Sequence, residues 1–217
     1  DLKFSNHFYI NESEQFVDKT AELGLIQSGY CLSASVSDYN NDVRPDIFIS
    51  NDYLVPDALM MNIEDNGFHN IINTAFKHTS QFSMGSDAAD INNDGWVDIY
   101  SADMVAEDHY RNKANMSGMN PEKFWKLISS GFQYQYMFNC LQLNKGNGYF
   151  SDIAQLSGIS NTDWSWTPLF VDLDNDGYRD LYVTNGFRRD VRNKDFDHLR
   201  SEYFENRNNP NYKGEKF

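Results

Sequence analysis

Asp172-Leu-Asp174-Asn-Asp176-Gly177-Tyr178-Arg-Asp180 runs straight into Leu181-Tyr-Val-Thr, an acidic loop followed at once by a short apolar segment. The design occurs twice more. Asp38-Tyr-Asn40-Asn-Asp42-Val-Arg44-Pro-Asp46 precedes Ile47-Phe-Ile-Ser, and Asp90-Ile-Asn92-Asn-Asp94-Gly95-Trp96-Val-Asp98 precedes Ile99-Tyr-Ser-Ala. Carboxylates this dense repel one another unless a cation sits among them. Side-chain oxygens at loop positions 1, 3, 5 and 9, with a backbone carbonyl at position 7, form a set suited to a hard ion such as Ca2+. The expected cofactor is therefore Ca2+, up to three ions. The side-chain ligands are Asp38, Asn40, Asp42 and Asp46; Asp90, Asn92, Asp94 and Asp98; and Asp172, Asp174, Asp176 and Asp180. Arg44, Trp96 and Tyr178 supply carbonyls.

Two features separate these loops from an EF-hand, which carries a bidentate Glu at position 12 and a helix on either side. Position 12 here is Ile49, Ser101 or Val183, and the flanking segments read as strands. Asp, Asn and Gly are also ordinary turn residues. A single such loop reads equally as a turn; three with matched ligand positions favour calcium.

The loops belong to a longer repeat. Phe16, Phe68 and Phe150 each precede the first loop aspartate by the same 22 residues, although the loops themselves lie 52 and then 82 residues apart. Asn11, Asn62 and Asn144 lead these phenylalanines, and Gly67 and Gly148 suit a hairpin turn between Asn and Phe. Phe16-Val-Asp18 with Gly24-Leu25 matches Phe150-Ser-Asp152 with Gly158-Ile159. One unit is read as four short strands: one before the turn, one after it, one entering the acidic loop and one leaving it. Repeated four-stranded units imply an all-β chain built as β-propeller blades.

The Asp-x-Asx-x-Asp-Gly-x-x-Asp loops resemble the FG-GAP or VCBS repeats of integrin α-subunit propellers. Asn144-Lys-Gly-Asn-Gly-Tyr-Phe150, Gly158-Ile159, Trp164-Ser-Trp166 and Phe170-Val-Asp172 through Asn185-Gly186 are similar to VCBS-repeat proteins of the ASPIC/UnbV, cartilage acidic protein-like type. Many surface proteins of Bacteroidetes belong to that group. The resemblance spans roughly residues 8–195 and implies a calcium-stabilised, extracellular propeller that binds other molecules. Val43 departs from it by replacing the glycine of position 6, which predicts a distorted or weaker first site. Because a propeller closes with four or more blades, the chain is expected to be part of a larger one, with the propeller segment over residues 1–195 and a polar tail or the start of a following region over 196–217.

The extra residues between the second and third loops form an insertion, about 104–137. It is expected to hold a helix with Asn120 as N-cap, Pro121 first, Glu122 in the first turn and Gly131 as the stop. Its Phe124, Trp125, Phe132, Tyr134 and Tyr136 read either as a partner surface or, through Phe124 with Leu127 or Ile128, as the face packed onto the scaffold. Trp164 and Trp166 likewise read as ligand-stacking or packing residues, with Trp166 inward and Trp164 outward in the packing case. A tail helix is expected through His198–Phe204.

Lys+Arg 18 against Asp+Glu 32 gives a formal charge of −14, which argues against nucleic acid as a partner; Arg188-Arg189 is a local basic exception, read as a solvated strand end. No apolar run reaches the roughly 18 residues that span a bilayer, so no transmembrane segment is expected in this chain. Cys31 and Cys140 read as buried thiols or one disulfide. There is no Gly-x-Ser-x-Gly elbow, His-Glu-x-x-His helix or Walker loop. His7, His69, His78, His109 and His198 show no ligand spacing and read as surface or hydrogen-bonded residues. The expectation is a non-enzymatic binding or scaffold module at the cell surface or outside the cell, where calcium is millimolar. Its partner is a protein or glycan. The alternatives are an accessory subunit of an outer-membrane complex for uptake or secretion, and a carbohydrate-active enzyme with its site in a propeller funnel.

Overall fold

The first acidic loop joins two neighbouring strands of an antiparallel sheet, and the other two loops make the same kind of join. The computed structural model describes residues 5–64, 66–115, 121–186, 193–210, 212 and 214. A hairpin comes first, β1 (Tyr9–Glu12) with β2 (Gln15–Asp18). Next, β3 (Tyr30–Ser37), β4 (Asp46–Asp52), β5 (Ala58–Ile63) and β6 (Gly67–Asn70) form a four-stranded meander in chain order. A one-turn helix α1 (Ile72–Ala75) and the short β7 (Thr79–Ser80) lead to β8 (Ser86–Ala89), β9 (Asp98–Ser101) and β10 (Met104–Val105). Then come α2 (His109–Asn115), α3 (Pro121–Ser129), β11 (Gln135–Tyr136), β12 (Cys140–Asn144) and β13 (Phe150–Asp152). The second meander runs β8-β9-β12-β13. β14 (Asp163–Val171) and β15 (Asp180–Asn185) pair with each other, and β10 joins the far side of β14. α4 (Lys194–Asn206) follows.

Side-chain alternation stacks these sheets. On β4, Phe48 faces one core while Ile47 and Ile49 face another; on β5, Leu59 and Met61 share the first and Ala58 and Met60 the second. Strands buried on both faces read as continuous apolar runs, as Ile47-Phe-Ile and Ala58-Leu-Met-Met do. On β9, Ile99 joins Phe48, Phe76 and Phe150 between the two meanders, whereas Tyr100 turns the opposite way toward Phe170, Leu181 and Val183. Phe76 bridges the first interface, with ring centroids 4.9 Å from Phe150 and 6.0 Å from Phe48. The third sheet has one covered face; Tyr182 and Leu169 on its other face are exposed.

The expected unit exists but is phased differently. Each meander begins with the two strands around the acidic loop and ends with the Asn–Phe hairpin, so the constant 22 residues are the crossing from the outer strand of one sheet into the inner pair of the next. The same hydrogen bonds recur in that crossing, Leu25 N–H to Thr20 O (2.9 Å) and Ile159 N–H to Ala154 O (3.0 Å). The variable length falls inside a sheet, between β9 and β12, where the insertion sits. Phe68 and Phe150 are buried on their outer strands, while Phe16, whose hairpin is a two-stranded sheet, is exposed.

The all-β expectation needs correction. Four helices and a parallel pair, β7 with β11, stand among the described residues, so the fold is mixed, with several small antiparallel sheets. No sheet closes on itself among the described residues. α1 lies in the crossing between the two meanders, α2 and α3 arise where the repeat is interrupted, and α4 follows its end. α3 starts at Pro121, carries Glu122 in its first turn, and is followed by Gly131 at φ +90°; its expected cap Asn120 lies outside the described residues. No α3 side chain is buried, and Phe124 instead meets Trp125, Tyr134 and Tyr136. α4 is capped by Asn193, whose side-chain oxygen accepts from Asp195 and Phe196 N–H. Trp166 is exposed and Trp164 half-buried, the reverse of the expected packing arrangement. Cys31 and Cys140 are free thiols. Arg188 and Arg189 lie outside the described residues. No described helix is long and apolar enough to cross a membrane.

Candidate metal centre

The three acidic loops have one backbone. Position 4 is left-handed in each, Asn41 (φ +59°), Asn93 (+59°) and Asn175 (+61°), and so is position 6, Val43 (+69°), Gly95 (+86°) and Gly177 (+92°). Glycine takes that conformation freely, and asparagine tolerates it. Val43 adopts the same turn, so the first loop carries backbone strain without the distortion expected from sequence.

The hydrogen bonds repeat as well. The position 1 carboxylate accepts from the N–H groups of positions 5 and 6: Asp38 from Asp42 (3.1 Å) and Val43 (2.7 Å), Asp90 from Asp94 (3.1 Å) and Gly95 (2.8 Å), Asp172 from Asp176 (3.2 Å) and Gly177 (3.0 Å). Position 3 also accepts from the position 5 N–H, through Asn40, Asn92 and Asp174. Position 5 accepts from the position 7 N–H of Arg44, Trp96 or Tyr178. Positions 1, 3 and 5 are thereby folded onto one side of the turn. In the third loop, Asp172, Asp174 and Asp176 bring one carboxylate oxygen each within 4.8 Å of one another. In the first, Arg44 also donates to Asp42 at 2.5 Å. Burial opposes ionisation of Asp42, but the Asn40 amide and the Arg44 N–H and guanidinium outweigh it and hold its pKa below the usual range.

Position 9 stands at the start of the strand that leaves each loop and accepts from backbone donors. Asp46 and Asp98 are fully buried at the start of their strands. Asp46 accepts from Tyr39 N–H (3.0 Å) and Asn62 N–H (2.8 Å); Asp98 accepts from Ile91 N–H (3.1 Å) and Asn144 N–H (2.8 Å). Asp180 accepts from Leu173 N–H at 2.9 Å. In both meanders the asparagine ahead of the phenylalanine thus ties the hairpin to the loop of its own sheet. Desolvation pushes the Asp98 pKa up to about 6, with the nearby Asp94 and Asp90 charges adding to the rise and the two backbone donors opposing it. Asp46 is raised for the same first reason.

A link missed in the sequence joins one loop to the next. Asn41 Nδ2 donates to the Gly95 carbonyl and Asn93 Nδ2 to the Gly177 carbonyl, each at 3.0 Å. The signal was an asparagine at position 4 of every loop. Also missed were two fully buried acids beyond the loops: Asp57 accepts from Asn51 N–H and Ser83 hydroxyl, and Asp103 from Ser80 hydroxyl and three backbone N–H groups.

The FG-GAP-like repeat model matches residues 38–101 and 129–183, more than half of the chain, and takes in all three loops. The chain belongs to the FG-GAP-like repeat family. No match to a curated protein was found. The gap between the matched segments falls on α2 and most of α3, so this FG-GAP-like repeat protein carries its insertion as an addition to the repeat.

Proposed function

We propose that this FG-GAP-like repeat protein is an extracellular binding or scaffold module whose acidic loops hold structural Ca2+, and that its meanders are blades of a propeller of the ASPIC/UnbV type. The observation that carries the metal reading is the common loop frame. Three copies present oxygens from positions 1, 3 and 5 on one side of the same turn, an all-oxygen set that suits a hard cation. Asp38, Asn40 and Asp42, their counterparts Asp90, Asn92 and Asp94, and Asp172, Asp174 and Asp176 would hold the ions. The carbonyls of Arg44, Trp96 and Tyr178 would complete the set, and position 9 would contribute from the buried side. The ion would offset the mutual repulsion of the loop carboxylates and stiffen the turn. Affinities of about 10⁻⁴ to 10⁻³ M keep such sites filled outside a cell and empty in the cytosol, which supports an extracellular setting.

The propeller reading is supported by the order of the strands. Each meander runs in chain order, and the strands entering successive loops are neighbours: Ser35 Oγ lies 2.7 Å from Ser86 Oγ between β3 and β8, and Phe170 N–H donates to Asp87 between β14 and β8. A hollow of about 190 Å³ opens between these three entry strands, lined by Leu32, Ser33, Met84, Gly85, Trp166 and Thr167. Thermal unfolding in millimolar Ca2+ and in chelator tests the metal reading; equal midpoints would overturn it. Electron-microscopic class averages of the full-length protein test the ring, and an open, elongated particle would exclude a closed propeller.

A further inference from the structure

Away from the acidic loops, three chemically different ligand groups converge at the outer edge of the second meander. His78, Cys140 and Asp152 each bring one ligand atom within 4.8 Å of the other two. They lie just before β7, at the start of β12 and at the end of β13, so that His78 reaches the β12–β13 hairpin from a distant part of the sequence. His78 Nε2 sits 2.9 Å from Asp152 Oδ2. The Cys140 side chain is buried, Asp152 nearly so, and the imidazole keeps 22% of its surface exposed.

We propose that His78, Cys140 and Asp152 form a transition-metal site for a borderline ion of the Zn2+ class, distinct from the hard-cation loops. The repeat itself supplies the argument. In the first meander the positions equivalent to Cys140 and Asp152 are Ala58 and Asn70, and the Asn70 side-chain oxygen accepts from Leu59 and Ile72 N–H. Asp152 Oδ1 does the same work, accepting from Leu141 (3.0 Å) and Ala154 (2.9 Å) N–H. Capping the hairpin therefore needs one oxygen and no sulfur. A carboxylate recurs at this position in the first hairpin, where Asp18 accepts from Thr20 N–H, but the thiol and the His78 imidazole are additions that the capping does not require.

Their setting is that of held ligands. Two backbone N–H groups fix the carboxylate through Oδ1, leaving Oδ2 to His78, and metal-bound carboxylates need hydrogen-bond support of this kind. The His78 carbonyl accepts from Gln142 Nε2 at 3.1 Å, and the Tyr136 and Phe138 rings meet the imidazole edge-on at 5.4 and 5.5 Å. Thiolate, carboxylate and neutral imidazole carry two negative charges together, which balance a divalent cation once the thiol proton is released. Bond lengths of about 2.0–2.3 Å place tetrahedral ligands roughly 3.3–3.7 Å apart, so the His78–Asp152 pair needs to open by less than about 1 Å. With three protein ligands, a water would complete the tetrahedral set.

The test is titration of metal-free protein with Co2+, in millimolar Ca2+ so that the acidic loops are already supplied. The expected result is one equivalent bound, with a thiolate-to-cobalt charge-transfer band and tetrahedral d–d bands, both bleached by one equivalent of Zn2+. The chain has two cysteines, so the band can be assigned. Cys31→Ser keeps it and Cys140→Ser abolishes it. His78→Gln, at the exposed side of the cluster, weakens Co2+ binding by more than the roughly 10–100-fold that losing a supporting partner costs, and it serves if Cys140→Ser does not fold. Absence of the band in the wild type, its survival in Cys140→Ser, its loss in Cys31→Ser, or unchanged affinity in His78→Gln would overturn the site. None of these outcomes depends on whether the loops bind calcium.

Discussion

Asn41 Nδ2 donates to the carbonyl of Gly95 at 3.0 Å, joining position 4 of one acidic loop to position 6 of the next, and Asn93 repeats the bond to Gly177. The loops are therefore coupled mechanically as well as by shared sequence. Each bond holds two sheets at a fixed offset where the strands emerge. Replacing Asn93 by Gly keeps the left-handed backbone and removes the bond, whereas Asn175→Gly makes the same backbone change where no further loop follows among the described residues. Asn93→Gly is expected to be the less stable of the two by about 1 kcal/mol, the net worth of an ordinary hydrogen bond. Urea unfolding of both variants measures it; equal midpoints would mean that the link contributes nothing.

Val43 places a β-branched side chain at φ +69° with 92% of its surface exposed. The left-handed conformation costs a side chain of this kind about 1–2 kcal/mol, and an exposed valine gains little burial in return. Glycine there loses roughly 0.5–1 kcal/mol to chain entropy. Relief of strain outweighs that entropic loss, so Val43→Gly should stabilise the protein by about 0.5–1 kcal/mol. An unchanged or lower denaturation midpoint would show that the first loop is not strained.

What was legible in the sequence was the chemistry contained within one turn or hairpin. The three loops, the Asn–Phe hairpins, the paired turns at Gly24 and Gly158 and the stop of α3 at Gly131 all follow from local backbone demands, and each is found. The phase of the unit was not legible, because a constant spacing says that a connection has fixed length without saying whether it lies within a sheet or between two. The Cys140, His78 and Asp152 cluster was hidden for a related reason: its members meet only through the pairing of β12 with β13 and the stacking of one sheet on the next. By sequence Asp46 and Asp98 read as ligands like their neighbours; their hydrogen bonds to backbone donors on two elements are a further role that emerges only once the hairpin has folded back over the loop.

Asp176 separates a metal role from a turn role. Its carboxylate accepts from Tyr178 N–H at 2.8 Å on an exposed surface, so in chelator Asp176→Ala should cost little. In calcium the variant should also lose the binding contribution of the third loop, about 0.4–1.4 kcal/mol when free Ca2+ is roughly one to ten times the dissociation constant. Thermal melts of wild type and variant, each in calcium and in chelator, give the four values needed. Equal destabilisation in both conditions would reduce the loop to an ordinary turn.

Asp57 offers a pH signature independent of metal. It is fully buried, and desolvation pushes its pKa up to about 8 from the ordinary 3.8; the nearby Asp103 charge adds to the rise, and the Asn51 N–H and Ser83 hydroxyl oppose it. A folded-state pKa above the unfolded one means that the native protein holds the proton where the unfolded chain has released it. The associated stability is complete below about pH 4 and is lost as pH rises toward 8. In chelator, unfolding free energy should therefore fall between these limits by up to about 1.4 kcal/mol per pH unit from this group. Asp57→Asn mimics the protonated acid, keeping an acceptor for Asn51 and a donor toward Ser83, and should flatten that slope. A wild-type slope that persists unchanged in Asp57→Asn would assign the pH dependence to other groups, of which Asp98, raised to about 6, is the first to test by the same substitution.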